Sequence, residues 1–458
     1  MRALRRTLAG LVLVAAMLLL ACWARPPELI RVGANYSAKI VCSNVFLANR
    51  DPQAVLYVDV QATGHPLLRL MRVSVDRAAG VVRAGLLGFI GGGLAVSRPG
   101  MGCTVVPDGD LATALAATAA APAAAPGPAA GARPFAADRP GPQGEFVAIV
   151  PALAPILTDA RLAGPGVRAI VVLHQGRIIA ERYAEGFDAR TPLLGWSMTK
   201  TVMAGLIGIL VKDGLLSIDQ PAGWPAADPR GRIRIADLLG MSSGLRFNEA
   251  YGAVSDVTRM LFLEPDMAAF ARSQPLAHPP GTVWSYSSGT AVILSRIFMD
   301  AAGPRPLGFV RERLFDPLGM SSAVIETDEH GTLVGSSYMY ANARDWARYG
   351  QLLLQDGVWR GDEILPRGYV AMMTTPVAAS GGQYGHGQVW LAGPDGKSSG
   401  IPADTIWLQG HDGQSIAVIP SRRIVVVRLG LTPERTGYRP EPLVHALLDA
   451  VNRLDPGK

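Results

Sequence analysis

Lysine is scarce in this chain: Lys39, Lys200, Lys212, Lys397 and Lys458 are the only five among 43 basic residues. Arginine stays protonated inside a protein, whereas a desolvated lysine can give up its proton, so each lysine near a hydroxyl stands out. Charged residues make up only 17% of the chain, and no Lys/Arg cluster is interleaved with aromatics. That pattern excludes a nucleic-acid footprint. The seven histidines are scattered without a His-Glu-x-x-His run, and the three cysteines have no Cys-x-x-Cys spacing. We therefore read no metal site and no cofactor. Hydrophobic residues reach 49%, enough for a packed core over 458 residues.

Long apolar runs are also few, and the clearest lies at the start. Arg2, Arg5 and Arg6 precede Leu8 to Ala21, a run too short for a full membrane span and right for a signal core. Residues 1–21 are thus expected to direct export, to the periplasm. Leu19-Leu20-Ala21-Cys22 resembles a lipobox, which leaves open lipidation of Cys22, ordinary cleavage, or an uncleaved anchor; the first and last attach the protein to a membrane. After export, Cys42 and Cys103 are left in an oxidising compartment, and a disulfide between them is the natural pairing.

Residues 34–106 carry short β-type runs such as Ala54 to Val60 and Leu70 to Val75, followed by an apolar stretch broken by Gly91-Gly92-Gly93. This reads as a small β-rich N-terminal module. Residues 107–143 are dominated by alanine, proline and glycine, a linker composition, with an alanine helix conceivable near Leu111. Residues 144–458 form the large domain. Ala169 to His174, a Gln175-Gly176 turn and Ile178 to Tyr183 predict a hairpin. Helical spacing recurs at Ile233 to Met241, Val292 to Ala302, Ala343 to Gln355 and Glu441 to Arg453. Strands at 416–419 and 423–429 imply a sheet assembled from both ends of the domain.

Ser197-Met198-Thr199-Lys200 opens an apolar helical segment. Residues i and i+3 share a helical face, so the hydroxyl and amine can touch, and an amine in an apolar setting can serve as base to the serine. Pro280 to Gly289 delivers the Tyr286 hydroxyl just before a helix, and Gly410-His411-Asp412-Gly413-Gln414 leads into the last strands. A Gly-x-Ser-x-Gly nucleophile elbow fails, because Thr199 stands at the last position. A Ser197-His411-Asp412 triad is disfavoured if 411 and 412 lie on a strand, where neighbours point to opposite faces.

The order Ser-x-x-Lys, Tyr-Ser-x and His-x-Gly before a strand resembles the serine β-lactamase-related family, which includes class C β-lactamases, family VIII esterases and 6-aminohexanoate-dimer hydrolases. The likeness extends over Val167 to Asp449 and includes Asp213 to Pro221, Ile235 to Leu245 and Ala343 to Gln351. It implies an α+β, β-lactamase/transpeptidase-like fold, with an antiparallel sheet flanked by helices plus a helical subdomain. It also implies Ser197 as nucleophile, Lys200 as base and Tyr286 as proton shuttle. The backbone of Ser197 and Gln414 would form the oxyanion hole, Gln414 being expected on the terminal strand's edge. Gly413 and His411 would line the cleft, and Tyr251 would cover the substrate. Ser288 replaces the usual asparagine and His411-Asp412-Gly413 replaces Lys-Thr-Gly, which argues against β-lactam carboxylate recognition. An ester, amide or short peptide-like substrate fits better; a slowly deacylating binding or sensor protein is the alternative.

Overall fold

The computed structural model describes residues 20–62, 64–119, 150–393 and 400–454, with a few single positions before residue 20. The export segment and residues 120–143 of the linker therefore lie mostly outside the described residues. Among those described, no helix is long and apolar enough to cross a membrane.

The N-terminal part begins with helix α1, Glu28–Phe46, which sequence periodicity did not reveal. Its buried positions include Asn35, Ser37, Lys39, Ser43 and Asn44 beside the apolar ones, so no apolar stripe stands out. The helix lies across a four-stranded antiparallel meander in the order β1 (Met71–Asp76), β2 (Val81–Leu86), β3 (Ile90–Arg98), β4 (Gly102–Val105). The glycine run in β3 permits this contact: a Cβ on Gly93 would fall 2.4 Å from the Ala34 backbone of α1. The expected disulfide joins Cys42 of α1 to Cys103 of β4.

The Ala54 to Val60 run is not a strand. It forms a helical turn, Pro52–Val55, continuing into a wider-wound turn over Leu56–Gln61. Asp51 caps it by accepting from the Gln53 and Ala54 amides, and Pro52 suits the first turn. Burial of Val55, Leu56, Asp59 and Val60, with Tyr57 and Val58 exposed, has the helical spacing that simple alternation concealed. The start of the linker is helical too (Leu111–Ala119), and the Ala114 carbonyl accepts from Arg98.

This N-terminal part is bolted to the large domain through polar contacts that are largely buried. Glu326 receives Lys39, the Ser43 hydroxyl and the Cys103 amide, and the Asn35 amide donates to the Phe262 carbonyl at 2.7 Å. Asp59 holds Arg50 at 2.8 Å and Arg168 at 2.6 Å.

In the large domain β5 (Val167–His174) and β6 (Arg177–Tyr183) form the predicted hairpin. Positive φ at Gln175 and Gly176, 52° and 76°, gives the two-residue turn that matches strand twist. Helix α2 (Met198–Lys212) runs through the core, followed by α3 (Ser288–Ala301) and α4 (Ala343–Leu354). Strands β7 (Ile406–Gly410), β8 (Gln414–Ile419) and β9 (Ile424–Gly430) then complete a five-stranded antiparallel sheet in the order β7-β8-β9-β5-β6. Helix α4 packs on one face, and the final helix α5 (Glu441–Leu454) on the other. The sheet's edges are β7 and β6. Gln414 begins an inner strand and is not on the edge, because β7 precedes the 411–413 turn and pairs along the outer side of β8.

Candidate active site

Helix α2 starts abruptly. Trp196 takes a left-handed φ of 49°, and Ser197 sits at the N-cap without making the usual side-chain cap bond. Its hydroxyl instead receives Lys200 Nζ at 2.9 Å. The same amine reaches Ser288 Oγ at 3.1 Å and the Ser336 carbonyl at 2.9 Å. These three oxygens are neutral, and Lys200 is 1% exposed. Burial without a bonded carboxylate lowers its pKa from the ordinary lysine value to about 8, with nearby Glu249 pulling the other way.

Tyr286 approaches from the loop before α3. Its hydroxyl is engaged with Ser197, its ring lies 4.8 Å from Lys200 Nζ, and burial raises its pKa, so the phenol stays protonated. Trp390 and Tyr384 hold the ring at centroid distances of 5.5 and 6.0 Å. The structure thus brings Ser197, Lys200 and Tyr286 together at one point.

The sequence reading noted Ser288 only as a departure from the family's asparagine, and it missed Glu249 altogether. Ser288 links Lys200 to Glu249: the serine hydroxyl and amide donate to the two oxygens of that carboxylate, the amide at 2.8 Å. Glu249 is half-buried in a loop, and desolvation raises its pKa while Lys200 lowers it. Nothing in the Phe247 to Tyr251 stretch marks this glutamate in advance; only its fold-imposed burial does.

The remaining residues form the flank. His411 stacks on Tyr251 with centroids 4.9 Å apart, and packs edge-on against Trp196 at 5.5 Å. His411 to Gly413 make a turn, with Asp412 at φ 58°, instead of continuing a strand. The imidazole therefore can lie 3.5 Å from the Asp412 carboxylate, but Ser197 is hydrogen-bonded to Lys200, as a histidine triad would not require. Gln414 turns its side chain to the Gly430 backbone, accepting at 2.9 Å and donating at 2.6 Å. The part of the sheet abutting Ser197's own segment is Gly410, where a Cβ would fall 2.2 Å from the Gly195 carbonyl. Among the described residues no three His, Cys, Asp or Glu side chains cluster as metal ligands would.

Residues 157–447 match the beta-lactamase family, more than half of the chain. A 6-aminohexanoate-dimer hydrolase of Paenarthrobacter ureafaciens is 25% identical over 253 residues, which is 50% of this chain and 63% of that protein. The chain thus spans just under two thirds of that relative. A Bacillus anthracis protein proposed to be a 6-aminohexanoate-dimer hydrolase has a similar structure, with a TM-score of 0.57 and 22% identity over 71% of this chain and 88% of its own. A family VIII carboxylesterase superposes with a TM-score of 0.52 and 17% identity over 68% of this chain and 99% of its own. With the serine, lysine and tyrosine motifs in order on this fold, the chain belongs to the beta-lactamase family.

Proposed function

We propose that the protein is a serine hydrolase that cleaves an ester or amide through an acyl-enzyme on Ser197. One observation carries this reading: the Ser197 hydroxyl meets a buried amine whose other two partners are neutral acceptors. A neutral Lys200 spends its two N–H bonds on Ser288 and the Ser336 carbonyl and aims its lone pair at the Ser197 proton. Ser288 can accept because its own proton goes to Glu249.

Ser197 Oγ then attacks the substrate carbonyl carbon as its proton passes to Lys200. Tyr286 gives its proton to the departing alkoxide or amine and recovers one through Lys200. Water repeats the sequence on the acyl-enzyme and releases the acid. The Ser197 amide at the start of α2 supplies one oxyanion donor. We assign the second to the Gly410–His411 backbone, because Gly410 ends the edge strand and abuts the Ser197 segment, whereas Gln414 begins the next strand inward. At the third motif no lysine stands, and His411 lies beside Asp412, a poor receptor for a carboxylate. This favours esters and amides over β-lactams.

Turnover of p-nitrophenyl acetate and labelling by a fluorophosphonate test the assignment. Both are expected in the wild type and absent in Ser197→Ala. Equal hydrolysis by the variant overturns it, and labelling without product release makes the protein a sensor.

We also propose that the protein is exported, on the strength of the basic and apolar start of the chain and the Cys42–Cys103 bridge. Mass spectrometry of the mature N-terminus tests this, and an intact, unmodified Met1 in cytosolic protein overturns it. A diacylglyceryl Cys22 establishes membrane attachment.

A further inference from the structure

Large apolar side chains are exposed unevenly over this protein. Among the described residues, 150–454 expose only Leu215, Val283 and Val358, well apart in the chain. The much shorter N-terminal part exposes Tyr57 (68%), Val58 (41%), Leu70 (46%), Leu87 (45%) and Phe89 (57%), besides Leu115 on the linker helix. The first five gather at one end of it. Leu87 and Phe89 form the tip of the β2–β3 hairpin, and the Leu87 amide donates to the Leu70 carbonyl at 2.9 Å. Tyr57 and Val58 lie on the helical turn whose Gln61 donates to the neighbouring Met71 carbonyl at 2.9 Å. A single exposed leucine is ordinary, whereas apolar side chains gathered in one patch mark a contact surface. Leu87 also has φ 55°, a left-handed conformation that glycine fills more easily. Its side chain is half-exposed, so packing within the fold does not explain a leucine there.

We propose that this end of the N-terminal part docks on an anionic lipid surface, with Leu70, Leu87 and Phe89 set among the headgroups. The proposal rests on the export and membrane-attachment reading above. Two observations select lipid over other partners. The first is where the chain enters. Cys22 lies just ahead of Glu28, the first residue of α1, and the first turn of α1 lies against this hairpin: a Cβ on Gly91 would fall 3.0 Å from Ile30. A chain held through its apolar start or through Cys22 therefore brings this patch to the bilayer. The second is charge. Asp76 is the only acidic residue from 60 to 107, against the exposed Arg69, Arg72, Arg77 and Arg83 and the buried Arg98. Apolar side chains flanked by arginine suit the boundary between acyl chains and anionic headgroups.

The test uses full-length protein carrying Cys22→Ser, with the Cys42–Cys103 bridge intact. An environment-sensitive fluorophore is attached at Leu70→Cys or, as control, at Leu215→Cys just past the far end of α2. On vesicles of phosphatidylcholine and phosphatidylglycerol in equal parts, the Leu70→Cys reporter is expected to shift to the blue and to be quenched by shallow nitroxide lipids. The shift should be smaller on phosphatidylcholine alone, and the Leu215→Cys reporter should stay in water. Leu87→Gly combined with Phe89→Ser keeps the fold, because glycine suits the turn, and is expected to lower the vesicle partition coefficient at least about tenfold. An unchanged coefficient overturns the proposal. If vesicles float the protein while both reporters stay in water, attachment stands and docking of this face is overturned. A Leu70→Cys shift that grows with protein concentration without lipid assigns the patch to a second copy of the chain, and overturns it too. Protein that does not float at all removes attachment and docking together.

Discussion

Two lysines are fully buried among the described residues, and each lies against a serine. Lys39 Nζ is 2.8 Å from Ser43 Oγ, and Lys200 Nζ is 2.9 Å from Ser197 Oγ. By proximity alone the two pairs are equivalent. The difference lies in the third partner. Each amine lies near a tyrosine ring, Lys39 4.2 Å from Tyr338 and Lys200 4.8 Å from Tyr286, but only Lys39 is also bonded to a carboxylate, Glu326, which matches its charge. Lys200 meets only neutral oxygens, and the nearest carboxylate, Glu249, stands behind Ser288. Burial disfavours the charged form of both amines, but Glu326 opposes that directly at Lys39. One lysine is a rivet between two parts of the protein; the other is the base of the proposed mechanism. Pairing, not burial, separates them.

The comparison breaks first on activity. Lys200→Ala is expected to lower kcat/KM for a p-nitrophenyl ester by about 10³-fold or more, as loss of a nucleophile's base does. Lys200→Arg is expected to restore none of it, since guanidinium keeps its proton. Full activity in the arginine variant ends the claim that a neutral amine acts here. Wild-type kcat/KM should rise with pH through about 8 as Lys200 loses its proton.

Stability is the next place to look, and the two sites should respond with opposite signs. Lys39→Met strands the Glu326 carboxylate, which is 0% exposed, and is expected to cost about 3–5 kcal/mol in urea unfolding. Lys200→Met removes a group whose folded pKa of about 8 lies below the free value of 10.5. The unfolded chain therefore binds more protons between those values, so the penalty is complete below pH 8 and fades toward pH 10.5. At pH 7 the methionine variant is expected to be more stable than wild type by roughly 1–3 kcal/mol. A loss of stability in both variants removes the distinction.

Sequence made the base visible and left the rivet unread, for physical reasons. Ser197, Lys200, Tyr286 and the Gly410 to Gln414 turn sit at element boundaries, where local chemistry dictates residue type. The Gln175-Gly176 hairpin was legible for the same reason, because only certain residues accept positive φ. Helix α1 was hidden since it is buried nearly all round, with Asn35, Lys39 and Ser43 satisfied by groups hundreds of residues away. A separation of 39 residues is enough to hide Glu249, whose role depends on Ser288. The expected edge position of Gln414 was wrong because the edge strand of the sheet is set by strand order, which no local pattern encodes.

The smallest effect tests how the base is tuned. Glu249 is the negative group that raises the proton affinity of Lys200 against burial. Glu249→Gln removes that charge while leaving a carbonyl to accept from Ser288, so the Ser288–Lys200 contact can persist. With less to hold the ammonium, the acid limb of kcat/KM should move below pH 8. The plateau rate should change by no more than about threefold, because Lys200, Ser197 and Tyr286 keep their geometry. A merely structural glutamate predicts the reverse pattern, a lower plateau with the limb unmoved. A limb and a plateau that both stay where they are would mean that Glu249 is already protonated at rest and has no charge to act on Lys200.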